Sequence, residues 1–281
     1  MGRGTSESAL RRRQLLVAAL LLVAAALGLV VASGQAQDSS SPASREAAVG
    51  ASAKLRPGMY FRTLPSGAHL PRRDRLCASL VTQRNWEPRP DNYPANLTVP
   101  SERVRWPQTS DQFYWRKWIV KRARVSGRYT GTTDEIIRWA ACKWGIDENS
   151  VRAAAVNESD WHQATVGDDG GSFGLMQVKD HYRDGSVDLG GYPWTQLSTA
   201  LNVDVYAAWI RSCLAGDFYD GGHWLYGRQT IKQVIAAKGF RYALWGCIGA
   251  WYSGDWYTSG AVHYIMQVQT NLARKSWRNL G

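Results

Sequence analysis

The chain has no glycine-rich phosphate loop, no RNA-binding signature and no zinc-finger spacing, which removes the usual grounds for a nucleotide or nucleic-acid module. Its cysteines, Cys77, Cys142, Cys213 and Cys247, form no C-x-x-C pair, and no histidine stands at metal-ligand spacing from them. No internal repeat is present, so a solenoid or propeller is excluded. Acidic residues are the scarcer charge, 23 against 34 lysines and arginines, for a net charge of +11. Such a balance attracts polyanions such as nucleic acid, anionic lipid or cell wall, and it equally suits a basic soluble protein with no polyanion partner.

What is there describes a globular chain behind a leader. The 281 residues are 44% apolar, enough for a sizeable core. Arg11, Arg12 and Arg13 precede an apolar run from Leu15 to Ala32, and small residues from Ala32 to Ala36 follow. Charge, apolar core and small-residue site in that order are the signature of a secretory signal. The run is also long enough for an uncleaved anchor, and positive charge ahead of it places the bulk of the chain outside the cytoplasm either way. With Arg3 and Glu7 counted, the leader holds +3 and leaves +8 for the remainder. An even number of cysteines in an exported chain reads as two disulfides.

Residues 37–54 are rich in Ser, Ala, Gln and Gly and read as a flexible linker. Residues 55–110 carry repeated Pro and Arg, a composition in which the prolines forbid a long helix, and 55–131 as a whole read as an irregular extension wrapping a domain. Within them, the rough alternation from Trp118 to Tyr129 suggests extended structure. From Thr132 the pattern is helical and runs to residue 281, so the fold class is mainly α. Thr132 and Glu135 form a capping-box pattern, Ile136, Ile137, Ala140 and Ala141 follow at helical spacing, and Gly145 closes the segment. Further helices are expected over Asp147–Asn157, from Gly174, and over Ser198–Leu214, Arg228–Ala237, Tyr242–Tyr252 and Ser259–Trp277. Cys213 closes the long helix, and Cys247 begins the helix that holds Trp251, two elements read as consecutive. Antiparallel packing of those helices would join them, leaving Cys77 to tether the extension to Cys142.

The informative stretch is Ala153-Ala154-Ala155-Val156-Asn157-Glu158-Ser159. A helix of small apolar residues ends in a carboxylate, where the helix dipole and burial both disfavour the anion and raise its pKa. That is what a general acid requires, although a frayed helix end would also leave a Glu there. Gly170-Gly171-Ser172-Phe173-Gly174 then forms a flexible turn before Leu175-Met176-Gln177-Val178. Glycine lets a backbone approach a ligand, and Gln177 is placed to offer its amide to an acetamido group. Fourteen tryptophans is high for this length. Trp139 and Trp209 fall on helix faces and belong to the core. Trp161, Trp194, Trp224, Trp251 and Trp256 fall in loop-like or glycine-flanked positions, where an indole can stack on a sugar.

Glu158-Ser159 followed by Gly171-x-x-Gly174-Leu175-Met176-Gln177 resembles the soluble-type lytic transglycosylases of the lysozyme-like superfamily. The resemblance spans about Thr132 to Trp277 and implies a lysozyme-like helical domain. Asn202 to Ile210 resembles the family's N-I-x-x-G-x-x-Y-L helix, with Tyr206 in place of Gly and Trp209 in place of Tyr. Ala250 to Gly254 resembles its A-Y-N-A-G stretch, with Trp251 in place of Tyr and Tyr252 in place of Asn. In the family that Tyr lies near the catalytic Glu, so either Trp251 replaces it or Tyr252 supplies the hydroxyl.

The resemblance implies cleavage of peptidoglycan glycan strands outside the cytoplasm by a monomer. Glu158 would be catalytic, and Ser159, Gly174, Met176, Gln177, Asn202, Trp251 and Tyr252 would form the substrate site. Glu158 would protonate the oxygen between N-acetylmuramic acid and N-acetylglucosamine, and the substrate's acetamido group would stabilise the anomeric centre. As a base, Glu158 would then deprotonate the muramic hydroxymethyl, closing a 1,6-anhydro ring. No metal or organic cofactor is called for, and nucleic acid is not expected as a partner. The rivals are a goose-type muramidase, in which Asp160, Asp168 or Asp169 would serve the water, and a non-catalytic wall-binding module.

Overall fold

The computed structural model describes residues 57–102, 104, 121–179, 191–217 and 229–280. The leader, the linker and Trp224 lie outside them. Among the described residues the fold is mainly α. Its longer helices are α1 (Asp74–Leu80), α2 (Thr133–Trp144), α3 (Glu148–Ser159), α4 (Thr199–Ala215), α5 (Ile231–Lys238), α6 (Phe240–Ser253) and α7 (Ser259–Arg274). No helix among these residues is long and apolar enough to cross a membrane.

Local chemistry sets most helix ends. Thr132 and Glu135 complete the capping box, with Glu135 N–H to Thr132 Oγ1 at 3.3 Å and Thr132 N–H to Glu135 Oε2 at 3.1 Å. Gly145, at φ 58°, ends α2. Asp147 caps α3 through Asn149 and Ser150 N–H, and Ser198 caps α4. Helix α3 runs past the expected Asn157 to Ser159, so Glu158 sits inside its last turn. Helix α7 stops at Arg274, where Lys275 turns left-handed at φ 52°, and a 3-10 turn over Ser276–Asn279 follows.

Helices α2 and α4 pack together at the centre, and nearly every residue of both is buried. Their buried charges are neutralised on the spot. Lys143 Nζ lies 2.7 Å from Asp204 and 3.1 Å from Asp74. Arg152 pairs with Asp134 at 2.6 Å. Among the described residues of the 55–131 stretch the elements are short, as its prolines dictate, yet Leu64, Cys77, Val81 and Val125 are buried with the core. Leu64 N–H donates to Gly145 O at 3.0 Å. Arg211, on α4, donates to Trp144 O at 2.7 Å, to Leu64 O at 3.0 Å and also to Gly145 O. The disulfides are Cys77–Cys142 and Cys213–Cys247, the expected pairs. They fit an oxidising compartment.

Two expectations are corrected. No strand occurs between Lys121 and Tyr129, because Ser126 and Gly127 N–H donate to the buried Asp204 carboxylate (2.8 and 3.1 Å) rather than to a neighbouring strand. No helix begins near Gly174. Gly174 (φ 80°) and Gln177 (φ 50°) are both left-handed. Leu175 N–H goes to Gln163 Oε1 (3.0 Å) and Met176 N–H to Asn202 Oδ1 (2.8 Å). These side chains replace the bonds a helix would make. The segment instead closes a small antiparallel sheet of β1 (Val166–Gly167), β2 (Ser172–Phe173) and β3 (Val178–Lys179), in which Phe173 faces Val166 and Val178.

Candidate active site

Helix α3 delivers Glu158 to a corner formed by α6, α7 and the 174–177 turn. Ala153, Ala154 and Ala155 are fully buried, and their small side chains let α3 settle closely against its neighbours. Asp160 ends the helix in a left-handed conformation, donating its N–H to Ala155 and Val156 O. Ser159 Oγ donates to Leu175 O at 2.8 Å and fastens this end to the turn.

Tyr264 of α7, itself buried, donates its hydroxyl to Glu158 Oε1 at 2.5 Å. Burial is the largest influence on the Glu158 carboxyl and pushes its pKa up to about 8. The Tyr264 hydroxyl and Trp251 indole oppose that rise, Asp168 adds to it and Lys179 opposes it. Glu158 as a residue retains partial exposure. Burial, with the nearby Glu158 charge, also holds the Tyr264 phenol well above its usual range, so it remains a donor. At neutral pH the pair therefore holds a protonated acid beside a fixed hydroxyl, which suits proton donation to a leaving oxygen.

Aromatic residues of α4 and α6 meet in space beside Glu158. Tyr206 and Trp209 contact Trp251 edge-on, with ring centroids 4.9 and 5.5 Å apart. The Trp251 indole donates to Met176 O at 3.2 Å, although it lies near enough to Glu158 to favour its anion. Tyr252 is 59% exposed and stacks on Tyr264 at 5.4 Å. The hydroxyl at Glu158 thus comes from Tyr264, which neither of the two expected positions provides. The sequence signal for it was the buried face of α7, on which Ala261, Tyr264, Ile265 and Val268 recur at helical spacing. A tyrosine amid that stripe needs a partner for its hydroxyl.

Several expected contact residues are placed inside the protein. Asn202 is buried, and besides Met176 it binds Phe173 O (2.7 Å) and Thr195 O (2.8 Å). Gly174 faces this clamp: an added Cβ would come within 2.3 Å of Asn202 Nδ2, so the glycine admits a side chain of the protein rather than a ligand. Met176 is fully buried. Both amide hydrogens of Gln177 have carbonyl partners, Gly174 O at 2.9 Å and Thr165 O at 3.2 Å, so they are not free for an acetamido group. Trp161 is buried, with its indole N–H on Arg152 O at 3.1 Å, which makes it core like Trp139 and Trp209. Trp194 and Trp256 are half-buried.

Of the nearby aspartates, Asp160 is exposed and turned to Arg89. Asp169 is exposed on the hairpin. Asp168 accepts from Ser172 Oγ at 2.7 Å and pairs with Lys179 at 3.1 Å. The Ser172 hydrogen bond is the main reason its carboxyl lies below its usual range. No cluster of His, Cys, Asp and Glu among the described residues is built to hold a metal ion. Comparison with models of protein families, with curated proteins and with solved structures gives no match.

Proposed function

We propose that the chain is an extracytoplasmic peptidoglycan lytic transglycosylase in which Glu158 is both acid and base. The observation that carries this reading is the Glu158 carboxyl, raised to about 8 by burial and held by Tyr264. The resemblance around Glu158 and Gly174–Gln177 names the substrate. Protonated Glu158 gives its proton to the glycosidic oxygen. Tyr264 keeps the carboxyl oriented as it becomes an anion, and that anion then takes the proton of the muramic hydroxymethyl as the 1,6-anhydro bond forms. The disulfides suit residence outside the cytoplasm.

One observation favours hydrolysis as a second reading: Asp168 is ionised, largely exposed and close enough to act on Glu158 electrostatically. In that reading Asp168 would activate the water. Mass spectrometry of fragments from purified peptidoglycan decides between them. Ends lighter by one water and resistant to borohydride support the transglycosylase. Predominantly reducible ends, lost in Asp168→Asn, would establish the hydrolase. A wall that Glu158→Gln digests as fast as the parent would overturn both.

A further inference from the structure

The other end of α3 opens on a cavity of about 450 Å³, bounded also by the start of α2 and the C-terminal turn after α7. Its charges do not balance. Arg138 pairs with Glu148 at 3.0 Å, and Arg152 pairs with Asp134 at 2.6 Å and Glu148 at 3.2 Å. Those two carboxylates are consumed by those two guanidinium groups. Arg84, Lys275 and Arg278 also line the cavity, are exposed, and have no acidic partner among the described residues. Three cations from two segments, Arg84 from one and Lys275 and Arg278 from the C-terminal turn, thus converge on a space whose walls are otherwise neutralised. Unpaired like charges repel, and folding gains nothing from gathering them. The bonds they can make are charge-assisted ones to an anion, which guanidinium holds in a bidentate fork.

We propose that this cavity binds an anionic group, a phosphate or carboxylate, carried by the wall polymer. The choice of the wall as carrier rests on the function proposed above; the anion chemistry does not. Glu148 and Glu158 are ten residues apart on α3, about 15 Å along the axis. An anion held at one end would therefore anchor the polymer while Glu158 meets a sugar link elsewhere on it, so the cavity is a holding site and takes no part in the bond change.

The test is sedimentation with insoluble bacterial walls in the Glu158→Gln background, so that binding is read without cleavage. Walls are used intact and after hydrofluoric acid has stripped phosphodiester-linked polymers. Arg84→Ala/Lys275→Ala/Arg278→Ala is expected to bind intact walls about tenfold more weakly or worse, as loss of charge-assisted bonds implies. Salt dependence should flatten in parallel. Loss confined to intact walls identifies phosphate as the anion, and loss that persists on stripped walls identifies peptide carboxylate. The control, Arg72→Ala/Arg73→Ala/Arg75→Ala, removes as much exposed charge elsewhere on the surface. Unchanged binding in the cavity variant, or equal loss in the control, overturns the proposal. Neither result bears on the Glu158 reading, which the fragment masses test separately.

Discussion

Helix α3 carries an acid at each end, and the two live in opposite settings. Glu148, in the first turn, faces arginines at 3.0 and 3.2 Å beside an open cavity. Glu158, in the last turn, faces a phenol, an indole and packed backbone, and among the described residues the cation that acts on it is Lys179. The first is the arrangement of a structural ion pair, satisfied by charge. The second is held by neutral donors, and burial dominates its titration. The same residue type on the same helix is thus an anchor in one place and a proton reservoir in the other.

Exchanging the acids should separate the two ends most sharply. Glu158→Gln is expected to lower wall lysis by about 10²–10⁴-fold, the usual contribution of general acid–base catalysis, with wall binding intact. Glu148→Gln should stay within about threefold of the parent and act chiefly on stability, since it touches ion pairs alone. Turbidity loss of a wall suspension measures both.

The next largest effect should come from the clamp behind Glu158. Asn202→Ala strips partners from Met176 N–H and from the Phe173 and Thr195 carbonyls. A cost of about 2–4 kcal/mol is expected for orphaning buried groups, read by denaturant unfolding. An equal loss from Asn149→Ala at the opposite end would erase the contrast between the ends.

Tyr264→Phe should reduce lysis about tenfold, the value of one hydrogen bond to a charged group. Because the Tyr264 hydroxyl lowers the Glu158 pKa, its removal should move the alkaline limb of the rate–pH profile upward. In the parent that limb should lie near the carboxyl's value of about 8, since the acid must be protonated to act. A purely structural role for Tyr264 would leave the limb in place.

The smallest effect concerns stability against pH. The folded pKa of Glu158 is raised from 4.5 to about 8, so its contribution is fully present below 4.5 and is lost as pH rises to about 8. Glu158→Gln should therefore become the more stable form as pH rises through that window, by about 1–2 kcal/mol after allowance for partial exposure. Thermal melts at both ends of the window check the sign.

How much of this was legible follows the range of the forces involved. The capping box at Thr132, the Gly145 stop and the bounds of α4 are local, and they stood in the sequence. The disulfide pairs are the expected ones, although Cys247 lies mid-way along α6 rather than at its start and α5 stands between the two helices. Glu158 was visible because a carboxylate ends a run of alanines. The turn at Gly174 was misread as a helix start because what bends it, Asn202 and Gln163, lies far away in sequence. Tyr264 is less legible because its hydroxyl meets Glu158 only through the packing of α7 on α3, 106 residues away in sequence. The internal hydrogen bonds of Asn202 and Gln177 likewise join segments distant in sequence, which periodicity does not reveal.

The arginine at position 211 settles where this protein can be cut. Burial lowers its pKa only to about 10, so it keeps its charge at neutral pH, and backbone oxygens are what hold it. Two of those oxygens, on Leu64 and Pro65, belong to the stretch that the sequence presents as an irregular extension wrapping the domain. A fragment starting at Thr132 would lose them together with the Cys77 tether, leaving a partly stranded cation under an uncovered helix end. Excision at that boundary should yield an insoluble product, whereas removal of residues 1–54 alone should leave a cooperative melt.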